Sequence, residues 1–127
     1  MFLFDTFEPG KPIGTRTLTL GRELVERWLM LYPEDRDGER MPPGMTAVVY
    51  SRAYSDILLP RPPGNVHAAQ QFRIARMPSI GDTLITSLSC EGKELKGDRR
   101  WVWFASETRR DDRTLLFSGL MTTLWAK

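Results

Sequence analysis

The chain has 127 residues, 41% of them hydrophobic and 27% charged, which gives a single domain, 1–127, enough apolar side chains for a core of its own. The formal charge of +2 and a pI near 8.9 are too mild to point to nucleic acid or an anionic membrane. The basic residues also alternate with acids, as in Arg109-Arg110-Asp111-Asp112-Arg113, the pattern of a solvated turn. Cys90 is the only cysteine and has no partner for an internal disulfide. One Cys and one His are too few soft ligands for a structural zinc site, so no metal and no cofactor is expected. The opening MFLFDTFEPG lacks a basic n-region and a long apolar run, so no signal peptide is expected. No stretch approaches the roughly 18 continuous apolar residues of a membrane span, and a reducing cytoplasm is the default expectation.

Residues 1–14 read as an irregular arm. Pro9-Gly10, Pro12 and Gly14 interrupt it, and Phe2, Leu3, Phe4 and Phe7 lay it on the body of the domain. Residues 15–20 (TRTLTL) alternate strictly and predict a half-buried strand. Gly21 breaks it. Residues 22–32 carry Leu24, Val25, Trp28, Leu29 and Leu31 on one face, a short amphipathic helix stopped by Pro33. A charged loop, EDRDGER (34–40), follows.

Pro42, Pro43 and Gly44 open the central helix, where a Pro in the first turn costs nothing because its missing N–H would be unpaired there. Ala47, Val48, Tyr50, Ala53, Tyr54, Ile57 and Leu58 cover more than one stripe, which predicts a helix buried on most sides. Pro60, Pro62, Pro63 and Gly64 end it. Four strand signals come next. In 66–76, His67, Ala69, Gln71, Arg73 and Ala75 share one face and Ala68, Gln70, Phe72, Ile74 and Arg76 the other. The turn 78–82 leads to a strand over 83–90. A polar connection (91–98), a strand over 100–108, a turn (109–113) and a strand over 114–125 complete the chain. Gly119 marks a bulge or a close neighbour in the last strand. Both faces of the last two strands are apolar. One should cover the helix; the other needs a cover that a partner subunit would supply. The expected class is α+β, a long central helix wrapped by a four-stranded antiparallel meander.

A long helix wrapped by an antiparallel sheet is the hot-dog arrangement, and GNVHAAQQFRIARMPSIGDTL resembles the strand-and-turn signature of MaoC-like hydratases and dehydratases. Gly64, His67 and Ala68 fit the start of that signature; Pro78, Gly81 and Asp82 fit its closing turn. The ending WVWFASETRRDDRTLLFSGLMTTLWAK is similar to the family's last hairpin. The resemblance covers about residues 15–126. It is strongest to the N-terminal hot-dog repeat, or matching subunit, of acyl-thioester dehydratases. It implies an acyl-CoA or acyl-carrier thioester as ligand, a lyase reaction of fatty-acid metabolism, and a homodimer or a heterodimer with another hot-dog subunit. In the family an Asp and a His of an Asp-x-Asn-Pro-x-His segment perform general acid–base catalysis. A backbone N–H at the start of the central helix polarises the thioester carbonyl, aided by the helix dipole.

Gly44 matches the position of that backbone donor. The segment before it, PEDRDGERMPPG, has Asp35 and Asp37 but no Asn-Pro and no His. The candidate catalytic residues are therefore Asp35, Asp37 and His67, each with a plain alternative: solvated loop carboxylates for the first two, a hydrogen-bonded strand residue for the third. The substrate-binding candidates are Gly44, Ala47, Val48 and Arg52. The acyl chain would run past Ala47 and Val48 towards His67. Arg52 would reach a CoA phosphate or a structural ion-pair partner. Tyr50, Tyr54 and the four tryptophans read as core and interface rather than as acids or a base-stacking platform. Three readings follow: an acyl-thioester-binding protein without the usual dyad, as a partner of an active subunit; a hot-dog thioesterase using a loop carboxylate; or a structural or assembly protein.

Overall fold

The computed structural model describes residues 1–127. β1 (Pro12–Thr19) is followed by α1 (Arg22–Leu31), α2 (Thr46–Ile57), β2 (Val66–Ile74), β3 (Thr83–Lys96), β4 (Arg99–Arg110) and β5 (Leu115–Trp125). The five strands form one antiparallel sheet in the order β1-β3-β4-β5-β2. α2 lies in its concave face. Leu84, Leu88 and Cys90 of β3, Val102 and Phe104 of β4, and Phe117, Met121 and Trp125 of β5 are all buried on this side of the sheet, under α2, α1 and the N-terminal arm. From α2 itself Thr46, Val49, Tyr50 and Ala53 are buried, a spacing that defines one helix face.

Two apolar clusters fill the space on either side. Phe7, Tyr50, Leu58, Val102, Phe104 and Trp125 belong to one. Leu20, Val25, Leu29, Met45, Val49, Leu84 and Phe117 belong to the other. The first depends on the N-terminal arm, which lies on the body as its phenylalanines predict. The Phe7 ring meets Phe104 and Trp125 edge-on, with centroids 5.1 and 5.0 Å away. Trp125 Nε1–H donates to the Phe2 carbonyl at 2.9 Å, and Lys93 donates to the Phe4 carbonyl at 3.1 Å.

Several sequence expectations are corrected. The first strand starts at Pro12, inside the expected arm, because Gly14 pairs with Leu88 across a register shift that absorbs the Pro12–Gly14 irregularity. The four late strands are not one meander. β2 pairs with β5, not with β3, and β1 fills the place beside β3. The polar segment 91–98 is mostly strand. It extends β3 to a tight turn at Gly97, whose φ is +60°, and it reads as loop because both of its faces project past the helix into solvent. The central helix is not buried on most sides: Ala47, Ser51, Arg52 and Asp56 are exposed and Val48 half-buried.

A bulge at Ala68 re-phases β2, since His67 opposes Thr123 and Ala69 opposes Thr122. Residues opposite each other share a face. His67 therefore joins Gln70 and Phe72 on the concave side, whereas strict alternation had set it with Ala69 and Gln71. Gly119 is a close approach, not a bulge. It sits in unbroken register between Ser106 and Phe72, and a Cβ there would meet Ser106 Oγ at 2.9 Å and Phe72 Cδ1 at 3.1 Å.

Gly119→Ala is therefore expected to overpack this crossing and to destabilise the fold by about 1–3 kcal/mol. Urea unfolding should show a lower midpoint at unchanged slope. An unmoved midpoint would mean that β2 parts from β5 without cost.

Candidate functional site

The head of α2 is built by α1 and the short turn after it. Pro33 ends α1 and starts a 3-10 turn, Pro33–Asp35, which carries the Asp35 carboxylate back beneath Trp28. Trp28 Nε1–H donates to Asp35 Oδ2 at 2.7 Å. The Gly44 backbone N–H donates to the same oxygen at 3.2 Å. A carboxylate here satisfies an otherwise unpaired donor and meets the positive end of the helix dipole. Gly44 thus has no free N–H to offer, and the space over its Cα is filled. A Cβ would fall on the Trp28 ring and 3.0 Å from Asp35 Oδ2. The missing side chain at 44 makes room for Trp28.

Asp37 stands apart from this knot. Its carbonyl accepts from Arg40 N–H at 3.0 Å, and its side chain is exposed. The charged loop is nonetheless tied down. Met41 N–H donates to Pro78 O at 2.8 Å and Ile80 N–H to Glu39 O at 2.7 Å, so the loop is sewn to the 78–82 turn.

The open face of α2 is a shallow, solvent-open groove of about 390 Å³ whose lining residues, Ala47, Val48, Ser51, Arg52, Ser55 and Asp56, all belong to the helix itself. The small residues 47, 51 and 55 recur every four positions, which keeps the groove floor low. Asp56 is neutralised by Arg16 of β1, Nε to Oδ2 2.7 Å. Arg52 makes no ion pair or hydrogen bond of its own. It also borders a narrower cavity of about 190 Å³ between α2 and β1, floored by Leu18, Val49 and Thr86.

His67 faces a different cavity, of about 270 Å³, on the β2 side of the helix. Tyr50 and Tyr54 line it, and it shares only Ser51 and Ser55 with the groove. Tyr50 donates to Met121 Sδ at 2.9 Å. Burial raises the hydroxyl pKa of Tyr50 well above the ordinary tyrosine value, and burial likewise raises that of Tyr54. Neither is poised to exchange protons near neutrality. Arg61, also on the wall, is committed to the helix end. Its guanidinium donates to the Ser55 and Leu58 carbonyls at 3.0 and 3.1 Å, where a cation suits the dipole.

The structure thus brings Gly44, Ala47, Val48 and Arg52 onto one line along α2, with Asp35 at its head. It does not bring Asp35 and His67 together: one caps the first turn, the other lies beside residues Tyr50 to Ser55. Ser51 escaped sequence reasoning, and so did the places of Trp28 at the helix head and of Ser55 in the groove. The Ala47, Ser51, Ser55 spacing was the signal for the serines. Nothing in the sequence distinguished Trp28 from a core residue.

No protein-family model matches the sequence, and no curated protein matches it. Solved structures do. A MaoC-like dehydratase from Rhodospirillum rubrum superposes with a TM-score of 0.85 at 13% identity, over 100% of this chain and 99% of that one. The HadBC 3R-hydroxyacyl-ACP dehydratase complex of Mycobacterium tuberculosis matches with a TM-score of 0.69 at 15% identity, over 86% and 90%. A Staphylococcus aureus protein solved in complex with CoA matches with a TM-score of 0.70 at 11% identity, over 92% and 71%. At such identities the likeness is one of architecture: five antiparallel strands around a central helix, the hot-dog fold.

Proposed function

We propose that the chain binds an acyl thioester, on CoA or on a carrier protein, along the open face of α2. In this reading it is a hot-dog protein of the MaoC-like hydratase and dehydratase type without that family's Asp/His dyad. The observation that carries the reading is the groove itself. A helix whose opposite face is fully packed leaves Ala47, Val48 and Ser51 uncovered in a row that starts at the helix head. The likeness to the two dehydratases and to a protein solved with CoA supports the choice of ligand.

Hydration of an enoyl thioester needs one group to hold the water and another to pass its proton. Asp35 is the only carboxylate at the helix head, and the one histidine is elsewhere. The chain then serves as the acyl-accommodating partner of an active hot-dog subunit. A second reading, thioester hydrolysis with Asp35 as base, has one observation in its favour. Only Oδ2 of Asp35 is engaged by protein donors, which leaves Oδ1 for a water.

A partner subunit also answers an unmet need of the sheet. β2 is an edge strand with Val66 and Ile74 about half exposed, 52% and 48%. On the convex face Trp101, Trp103, Leu120 and Leu124 are only half-buried. A second copy or another hot-dog subunit would cover both.

Three outcomes are expected. Ala47→Trp, a change on an exposed position, should weaken butyryl-CoA binding at least about tenfold by calorimetry, since a filled groove excludes the chain; parent-like affinity would remove the groove from consideration. The pure protein should show no measurable crotonyl-CoA hydration, because each general acid–base group typically contributes about 10²–10⁴-fold; brisk turnover would mean that Asp35, Asp37 or His67 had been misjudged. Sedimentation should give a dimer at micromolar concentration, and a stable folded monomer would argue that the uncovered strand and convex face need no partner.

A further inference from the structure

Resting on the thioester reading above, we infer that Arg52 selects acyl groups that end in a carboxylate, such as the half-thioesters of short dicarboxylic acids. The groove that would take the acyl chain is not uniformly apolar. Ala47 and Val48 line its first part; Ser51, Arg52, Ser55 and Asp56 line the rest. Two charged side chains line that second part, Arg52 and Asp56, and the Arg16 guanidinium meets Asp56 from β1. Asp56 is bound to Arg16 at 2.7 Å. Two positive groups and one negative leave one cation over, and it is Arg52.

The remaining Arg52 is placed to act on the far end of a chain rather than on the thioester. It is five residues past Ala47, where the apolar part of the groove begins, which is about 7.5 Å along the helix axis at the usual rise. Helical side chains lean back towards the N-terminus, so the guanidinium reaches over the groove between the helix head and its own Cα. An apolar acyl chain gains nothing from a guanidinium at that depth and takes away some of its water. A terminal carboxylate gains a bidentate, charge-assisted pair, with the Ser51 and Ser55 hydroxyls beside it as further donors. A CoA phosphate is a poorer match: the nucleotide leaves the thioester on the side opposite the acyl chain.

The test compares succinyl-CoA with butyryl-CoA, which have four-carbon acyl groups and differ in the terminal carboxylate. Calorimetric titration of the full-length protein should show succinyl-CoA bound about tenfold more tightly, in keeping with a charge-assisted hydrogen-bonded pair. The preference should shrink as salt rises. Arg52→Met should abolish the preference by weakening succinyl-CoA far more than butyryl-CoA, and Arg52→Lys should keep part of it. Arg52 is exposed, so thermal melts of both variants should match the parent.

Equal binding of the two ligands by the parent overturns the inference and leaves the thioester reading standing. So does a preference that survives Arg52→Met. An equal loss for both ligands and for free CoA in that variant assigns Arg52 to the nucleotide and also overturns it. Failure of the parent to bind either acyl-CoA overturns the thioester reading and this inference together.

Discussion

One short helix has to close a much longer sheet. α2 has 12 residues, about 18 Å at the helical rise. β4 has 12 as well, but at the strand rise that is about 40 Å. The helix therefore covers only the middle of the concave face, and other parts of the chain must seal what lies beyond each end. The N-terminal arm does so with Phe7 against Phe104 and Trp125. At the opposite end α1 does so with Val25 and Leu29. The two core clusters are the two halves of this arrangement, and α2 contributes Tyr50 to one and Val49 to the other. Once both of its ends and its sheet-facing side are occupied, the uncovered surface of the helix is the face that carries Ala47, Ser51, Arg52 and Asp56.

The same geometry explains which features were legible in the sequence. Both helices and the approximate starts of the late strands follow from period and punctuation, because Pro33, Pro43 and Gly81 act locally. Strand order does not. Nothing local says that β2 crosses to the far side of β5, since that choice is made by tertiary pairing. The bulge at Ala68 was equally hidden. An extra residue leaves the alternation of HAAQQF looking regular while it turns His67 to the concave side. The burial of α2 was over-read because alanines and valines count as apolar wherever they point. Their role as the floor of a groove depends on their size, not their hydropathy.

The candidate site was legible as a list and not as an arrangement. Gly44, Ala47, Val48 and Arg52 do share a line, as helical spacing requires. Asp35 was named from the loop together with Asp37, and its partners in the structure are Trp28 and Gly44, two groups that sequence separates from it by seven and nine positions. That carboxylate stabilises the helix start by charge and hydrogen bonding at once. Any chemistry asked of it must be compatible with that duty. The fourteen percent or so of sequence shared with structural neighbours cannot reveal such duties, because a fold is held by pattern and a site by individual atoms.

The seam between the charged loop and the 78–82 turn bears on how the groove admits anything at all. Backbone hydrogen bonds from Met41 to Pro78 and from Ile80 to Glu39 make the segment ahead of α2 part of the sheet's rim. A rim fastened at two points is a frame, not a flap. On the proposed thioester reading, discrimination at this face falls to side-chain size and charge along α2.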